Sequence, residues 1–224
     1  MPKTKLTSTT TVLVLGLLLP PVGAADVLSG AIVTRTRSGV AAAPAVVYAE
    51  PLTGPAPPAR EGTAFTITQR NKRFSPRVLG VPVGAVVQFP NDDPLFHNVF
   101  SLSPGHAFDL GLYRSGATKS RAFASPGVVR VFCNIHPQMT ALVVAVPTPW
   151  IVAAGTDGAW RLDLPAGRYK VTALSERATP VSIEVTVAGA TTAPSVTLDE
   201  AASVTTPHAN KFGKPYPASA YRQP

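Results

Sequence analysis

A single cysteine, Cys133, stands in the 224-residue sequence, so the chain cannot close an internal disulfide. That thiol is therefore a buried bystander, an intermolecular link or a ligand. Methionine is as scarce: Met139 is the only one besides Met1, which argues against a surface that handles soft metal ions through clusters of thioethers. No G-x-S-x-G, H-E-x-x-H or phosphate-binding glycine loop is found, leaving hydrolase and nucleotide-binding readings without support. Charged residues make up 14% and aromatic residues 7%. No stretch approaches the roughly 20 consecutive apolar residues that a membrane-spanning helix needs.

What is abundant is proline, 24 residues, with 17 glycines. Punctuation that dense between short apolar runs predicts short strands and many turns, an all-β protein. The first 24 residues read as a secretory signal. Lys3 and Lys5 make a positive start, Thr11 to Leu19 an apolar run, and Val22, Gly23 and Ala24 a small-residue cleavage site near Ala24/Ala25. The expectation is a periplasmic or otherwise exported protein with no transmembrane segment in the mature chain. The net charge of +8 falls to +6 without Lys3 and Lys5. Positive residues are scattered, the densest group being Arg70, Lys72, Arg73 and Arg77, so the charge reads as solubility or docking bias and not as a nucleic-acid interface.

About eight strand candidates lie between Ile32 and Val146, among them Ala45 to Tyr48, Phe65 to Thr68, Arg77 to Leu79, Ala85 to Phe89, His97 to Ser101, Val128 to Cys133 and Ala141 to Val146. Pro51 to Arg60 is a linker or surface loop. After Pro147-Thr148-Pro149 a smaller β unit begins, with a hairpin signal at Thr156-Asp157-Gly158, alternation around Trp160 and Leu162, and a turn at Pro165-Ala166-Gly167. The expected organisation is a signal at 1–24, a first unit at 25–146 that includes strands in 27–50, a second at 147–200, and a disordered tail at 201–224. The strands at 27–50 also suit the second unit.

The chemistry lies in Phe132-Cys133-Asn134-Ile135-His136-Pro137-Gln138-Met139. A thiolate, an imidazole and a thioether follow one another as C-x2-H-x2-M directly after an apolar strand, and a hairpin loop there converges all three on one point. Val129 and Val131 share a face with Cys133 by strand alternation, which aims the sulfur into the core. His97, at the start of a strand, supplies the missing imidazole. Two histidines and a cysteine with a weak axial methionine form the set that marks an electron-transfer copper site. Asn98 is placed to hydrogen-bond the Cys133 loop and tune the sulfur. Paired His-x-His segments are absent, which excludes the trinuclear centre of a multicopper oxidase. His106 and His208 read as solvated loop residues, Asp92 and Asp93 as a turn, and Tyr113 and Trp160 as core aromatics.

These blocks, with Phe89-Pro90-Asn91 upstream of His97-Asn98-Val99, resemble the cupredoxin superfamily near plastocyanin and, in the short ligand loop, amicyanin. Gln69 to Phe74, Pro76 and Phe108 to Tyr113 are similar to plastocyanin-like proteins of the methylamine utilization type. Thr156 to Trp160 and Leu164 to Tyr169 resemble carboxypeptidase regulatory-like domains. The resemblance implies a Greek-key cupredoxin β-sandwich plus a small transthyretin-like β-sandwich, with one copper held by His97, Cys133, His136 and Met139. It implies a periplasmic one-electron carrier between redox proteins, not an enzyme; the alternative is an exported copper-binding, delivery or partner-docking protein. By analogy with the same fold, His136 is the electron port.

Overall fold

The structure, a computed structural model, describes residues 26–41, 44–59, 62–203 and 208–217. The expected signal at 1–24 lies outside these residues. The described residues form nineteen strands and no helix. No helix among them is long and apolar enough to cross a membrane.

Three strands come first: β1 (Asp26–Thr36), β2 (Gly39–Ala41) and β3 (Ala45–Pro51). Ten follow: β4 (Phe65–Thr66), β5 (Thr68–Arg70), β6 (Arg73–Ser75), β7 (Val78–Pro82), β8 (Val86–Pro90), β9 (His97–Ser101), β10 (Phe108–Tyr113), β11 (Thr118–Ala122), β12 (Gly127–Phe132) and β13 (Thr140–Val146). The last six are β14 (Ile151–Ala153), β15 (Ala159–Leu164), β16 (Gly167–Ser175), β17 (Val181–Val187), β18 (Ala190–Thr192) and β19 (Val196–Asp199).

The middle ten build one sandwich. A sheet in the order β10-β9-β12-β13-β7 faces a smaller sheet in the order β11-β8-β4, and the β5-β6 hairpin joins the rim through a bridge from Gln69 to Asn91. Between them lies an apolar core that includes Ile67, Phe89, Val99, Phe123, Val129, Val131 and Val143. Alternation explains it: in β12, Val129 and Val131 point inward while Val128 and Arg130 point outward. Tyr113, read as a core aromatic, is buried here and donates its hydroxyl to the Phe89 carbonyl at 2.9 Å. Trp160 is buried as well, in the second core.

The sequence-based grouping of residues 27–50 with this sandwich is corrected by the strand pairing. β1 runs antiparallel to β15 and parallel to β18 and β19, and β3 runs antiparallel to β14 and β16, with Tyr48 opposite Thr172. A second core of Leu28, Val47, Trp160, Leu162, Tyr169, Val171 and Leu198 lies between those two sheets. The first sandwich is thus inserted in the sequence between β3 and β14. The Thr156-Asp157-Gly158 turn is present, closed by Gly155 N–H donating to Ala159 O at 2.8 Å, but it links β14 to β15 across two sheets and is not a hairpin. The sandwiches meet at a third apolar cluster, Val46 and Leu174 against Val78, Leu142, Val144 and Val146. All but the first residue of β13 are buried, so alternate side chains face the first core and the third cluster.

The tail, expected to be disordered from 201 onward, is ordered over 208–217 and packs on the first sandwich. Its polar side chains find partners there that hydrophobic periodicity does not report.

Candidate metal centre

One strand begins and another ends at the same rim. His97 opens β9, where all five residues are buried, and Cys133 follows β12 directly. The loop from Cys133 to Met139 is closed by two backbone bonds, Cys133 N–H to Met139 O at 3.1 Å and Met139 N–H to His136 O at 2.9 Å. This fold of the loop returns His136 to Cys133. The Cys133 sulfur lies 3.7 Å from Nδ1 of His97 and 3.7 Å from Nδ1 of His136, and the two nitrogens are 3.2 Å apart. A triangle of that size has room at its centre for an ion with bonds of about 2 Å to each donor. One thiolate and two imidazoles form a set that suits copper. Met139, the expected fourth ligand, has its side chain wholly buried in the same core as Cys133.

The electrostatics favour the ligand forms of Cys133 and His136. Burial raises the Cys133 thiol, yet the His97 ring and the backbone N–H groups of Asn98, Ile135 and His136 outweigh burial and hold it below its ordinary value. Burial also lowers the His136 ring, helped by the positive His97 and Lys72 and opposed by Asp93, so its nitrogen stays unprotonated more readily than usual. His97 is raised in the metal-free protein: burial works against its charge, but Cys133 and Asp93 overcome it.

Asp93 is the residue that sequence reasoning missed. Its turn exists, since Asp93 N–H donates to Asn91 Oδ1 at 3.0 Å, but its carboxylate is buried and Oδ2 lies 2.6 Å from Nε2 of His97. The carboxylate also accepts two backbone N–H groups, that of Asn71 on Oδ1 at 2.5 Å and that of Lys72 on Oδ2 at 2.9 Å. Those two residues form the tip of the β5-β6 hairpin and both have φ of 53°, the left-handed pair that a two-residue primed turn requires. Left-handed lysine is uncommon, and here it aims a backbone donor at Asp93. These contacts hold the Asp93 carboxyl below its usual value although burial raises it. A carboxylate on the far nitrogen fixes the tautomer of the imidazole and strengthens it as a ligand. Asp92, by contrast, faces outward and pairs with Arg70 at 3.1 Å.

Asn98 supports the sulfur differently from the expectation. Its side chain turns away from the loop and donates to Asp109 Oδ1 at 2.6 Å, while its backbone N–H points at the Cys133 sulfur. His106 stands apart, donating to the Pro126 carbonyl at 3.2 Å. His208 is not a solvated loop residue: its ring stacks on Phe132 with centroids 4.0 Å apart. Beside the histidines in sequence, Phe96 and Ile135 are 56% and 46% exposed, so apolar surface flanks both.

No protein-family model and no curated protein matches the chain. Among solved structures it is similar to a purple cupredoxin from Nitrosopumilus maritimus, with 28% identity over 37% of this chain and 99% of that one, at a TM-score of 0.34. It is also similar to a copper-containing nitrite reductase from Thermus scotoductus, with 24% identity over 43% of this chain and 25% of that one, at a TM-score of 0.37. An oxidized mutant of amicyanin shares 21% identity over 44% of this chain and 99% of that one, at a TM-score of 0.35.

Proposed function

We propose that this chain is a type 1 copper protein of the cupredoxin kind, carrying single electrons between redox proteins in the periplasm or another exported space. His97, Cys133, His136 and Met139 are its ligands. The observation that carries the reading is the buried triangle of one cysteine sulfur and two histidine Nδ1 atoms, with separations of 3.7, 3.7 and 3.2 Å. Bound copper supplies a one-electron couple. The chain's own residues do the rest: strand ends and the closed loop fix the donors, so a change of oxidation state needs little rearrangement. The N–H groups aimed at Cys133 stabilise its thiolate, and Asp93 holds His97. His136, half-buried beside exposed Ile135, is the point of electron entry and exit. The second sandwich is read as a carboxypeptidase regulatory-like unit, and residues 1–24 as a cleaved signal.

Titration of the mature protein with Cu(II), followed by visible absorption and electron paramagnetic resonance, tests this directly. An intense sulfur-to-copper band with narrow hyperfine splitting, lost in Cys133→Ser, is the expected result. A pale, ordinary copper spectrum in the wild type would overturn the proposal. Reversible voltammetry then separates electron carriage from storage or delivery.

A further inference from the structure

Residues 208–216 grip the loop that carries three of the candidate ligands, and they do so at four residues on or beside it. The His208 ring stacks on Phe132 with a 17° angle between planes, and its Nε2 donates to the Pro137 carbonyl at 2.7 Å. The Lys211 N–H donates to Asn134 Oδ1 at 3.0 Å. The Tyr216 hydroxyl donates to the Asn134 carbonyl at 3.1 Å and lies 3.5 Å from the Cys133 carbonyl. Phe132, Cys133, Asn134 and Pro137 are all engaged by one short segment.

The segment has its own internal order. Ala209 and Pro215 form an antiparallel bridge, Asn210 N–H donates to Lys214 O at 2.8 Å, and Asn210 Oδ1 accepts the N–H groups of Phe212 and Lys214 at 2.9 and 3.0 Å. That turn presents Lys211 to a second target. Its Nζ pairs with Asp109 Oδ2 at 2.8 Å, and Asp109 Oδ1 accepts the Asn98 side chain. Asp109 sits at a bulge in β10 made by Gly111 at φ 70°, whose N–H also donates to Asp109 Oδ1 at 2.8 Å. The bulge thus turns a carboxylate toward both Asn98 and the segment. Asn98, in turn, aims its N–H at the Cys133 sulfur.

We propose that residues 208–216 are a strap that positions the metal-binding loop, with His208, Lys211 and Tyr216 as positioning residues for Cys133 and His136. The proposal rests on the copper reading above. A short loop between two strands has few backbone–backbone bonds of its own, here two, and a strap on its outward carbonyls restricts the excursions that would spread the donor triangle. Ligands held in place before the metal arrives bind it tightly and rearrange little when its charge changes.

The test compares full-length wild type with the triple variant His208→Ala, Lys211→Met, Tyr216→Phe, using Lys214→Met as a control on the same turn that leaves every strap contact in place. In the metal-free proteins, amide hydrogen exchange at Asn134, Ile135 and His136 is expected to be about tenfold faster in the triple variant and unchanged in the control. In the copper-loaded proteins, release to a chelator is expected to be several-fold faster, with a changed reduction potential and visible spectrum. Unchanged exchange together with unchanged release and potential would overturn the strap. Should the triple variant not fold, Tyr216→Phe alone, which deletes one hydroxyl, decides by the same exchange measurement, with a smaller increase expected and no increase overturning it. A wild type that takes up no copper defeats the copper reading, while exchange in the metal-free proteins still decides the strap.

Discussion

Asp93 Oδ2 lies 2.6 Å from His97 Nε2, on the side of the ring opposite the nitrogen that faces Cys133. The contact is buried at both ends, which sets it apart from surface ion pairs such as Arg161 with Asp163. An outer carboxylate of this kind is worth about 10–100-fold in metal affinity. Asp93→Ala is therefore expected to weaken copper binding by that order, measured by competition with a chelator of known affinity. Asp93→Asn keeps an acceptor oxygen and should lose less. Equal affinity in wild type and Asp93→Ala would show that His97 is held by β9 alone.

The same pair gives the metal-free protein a pH signature. The Asp93 carboxyl is lowered from 3.8, so its contribution to stability is present above that value and lost as pH falls through the lowered one. The His97 ring is raised from 6.5, so its contribution is present below 6.5 and lost as pH rises through the raised value. Both contributions coexist between about pH 4 and 6.5. Denaturant midpoints of metal-free wild type and Asp93→Asn should differ most in that window, converge as pH falls below it, and differ less above it, where the carboxylate keeps only the Asn71 and Lys72 N–H groups. A difference independent of pH would point to packing and not to the charge pair.

Among the proposed ligands, Met139 has the narrowest role. A weak axial thioether tunes the potential of a copper site without building it. Met139→Leu removes electron donation that favours Cu(II), so the reduction potential is expected to rise while the sulfur-to-copper band persists. Met139→Gln offers a harder oxygen donor and should lower the potential. Voltammetry of the three proteins checks the order, and loss of the band in Met139→Leu would mean that Met139 holds the loop and not only the metal.

Legibility of the site followed sequence distance. Cys133, His136 and Met139 lie within seven residues after an apolar strand, and short-range geometry alone brings His136 back to Cys133. His97 was legible as a histidine opening a strand beside asparagine. Asp93 was not, because its role depends on the hairpin tip at Asn71 and Lys72, about twenty residues upstream, and adjacency to Asp92 suggested only a turn. The apolar residues of β1 and β3 were legible as strands, but their partners lie far along the chain, Tyr48 against Thr172, and composition carries no pairing information. The strap was hidden by its own polarity: His208, Lys211 and Tyr216 bind through hydrogen bonds and a ring stack, which leave no hydrophobic period to read.

Leu142 tests how the two sandwiches depend on one another. Its neighbours Ala141 and Val143 face the core that holds Cys133, whereas Leu142 is 1% exposed against Val46 and Leu174 of the other sandwich. Gly80, on the adjacent β7, permits this approach, since a Cβ there would run into Ile151. Leu142→Ala removes buried methyls from a packed cluster, which costs about 2–5 kcal/mol. If the shared cluster couples the units, calorimetry should show one transition shifted downward as a whole. The copper spectrum should not change, because strand alternation points Leu142 away from the donors. Two transitions, with only one displaced, would show instead that the inserted sandwich unfolds by itself.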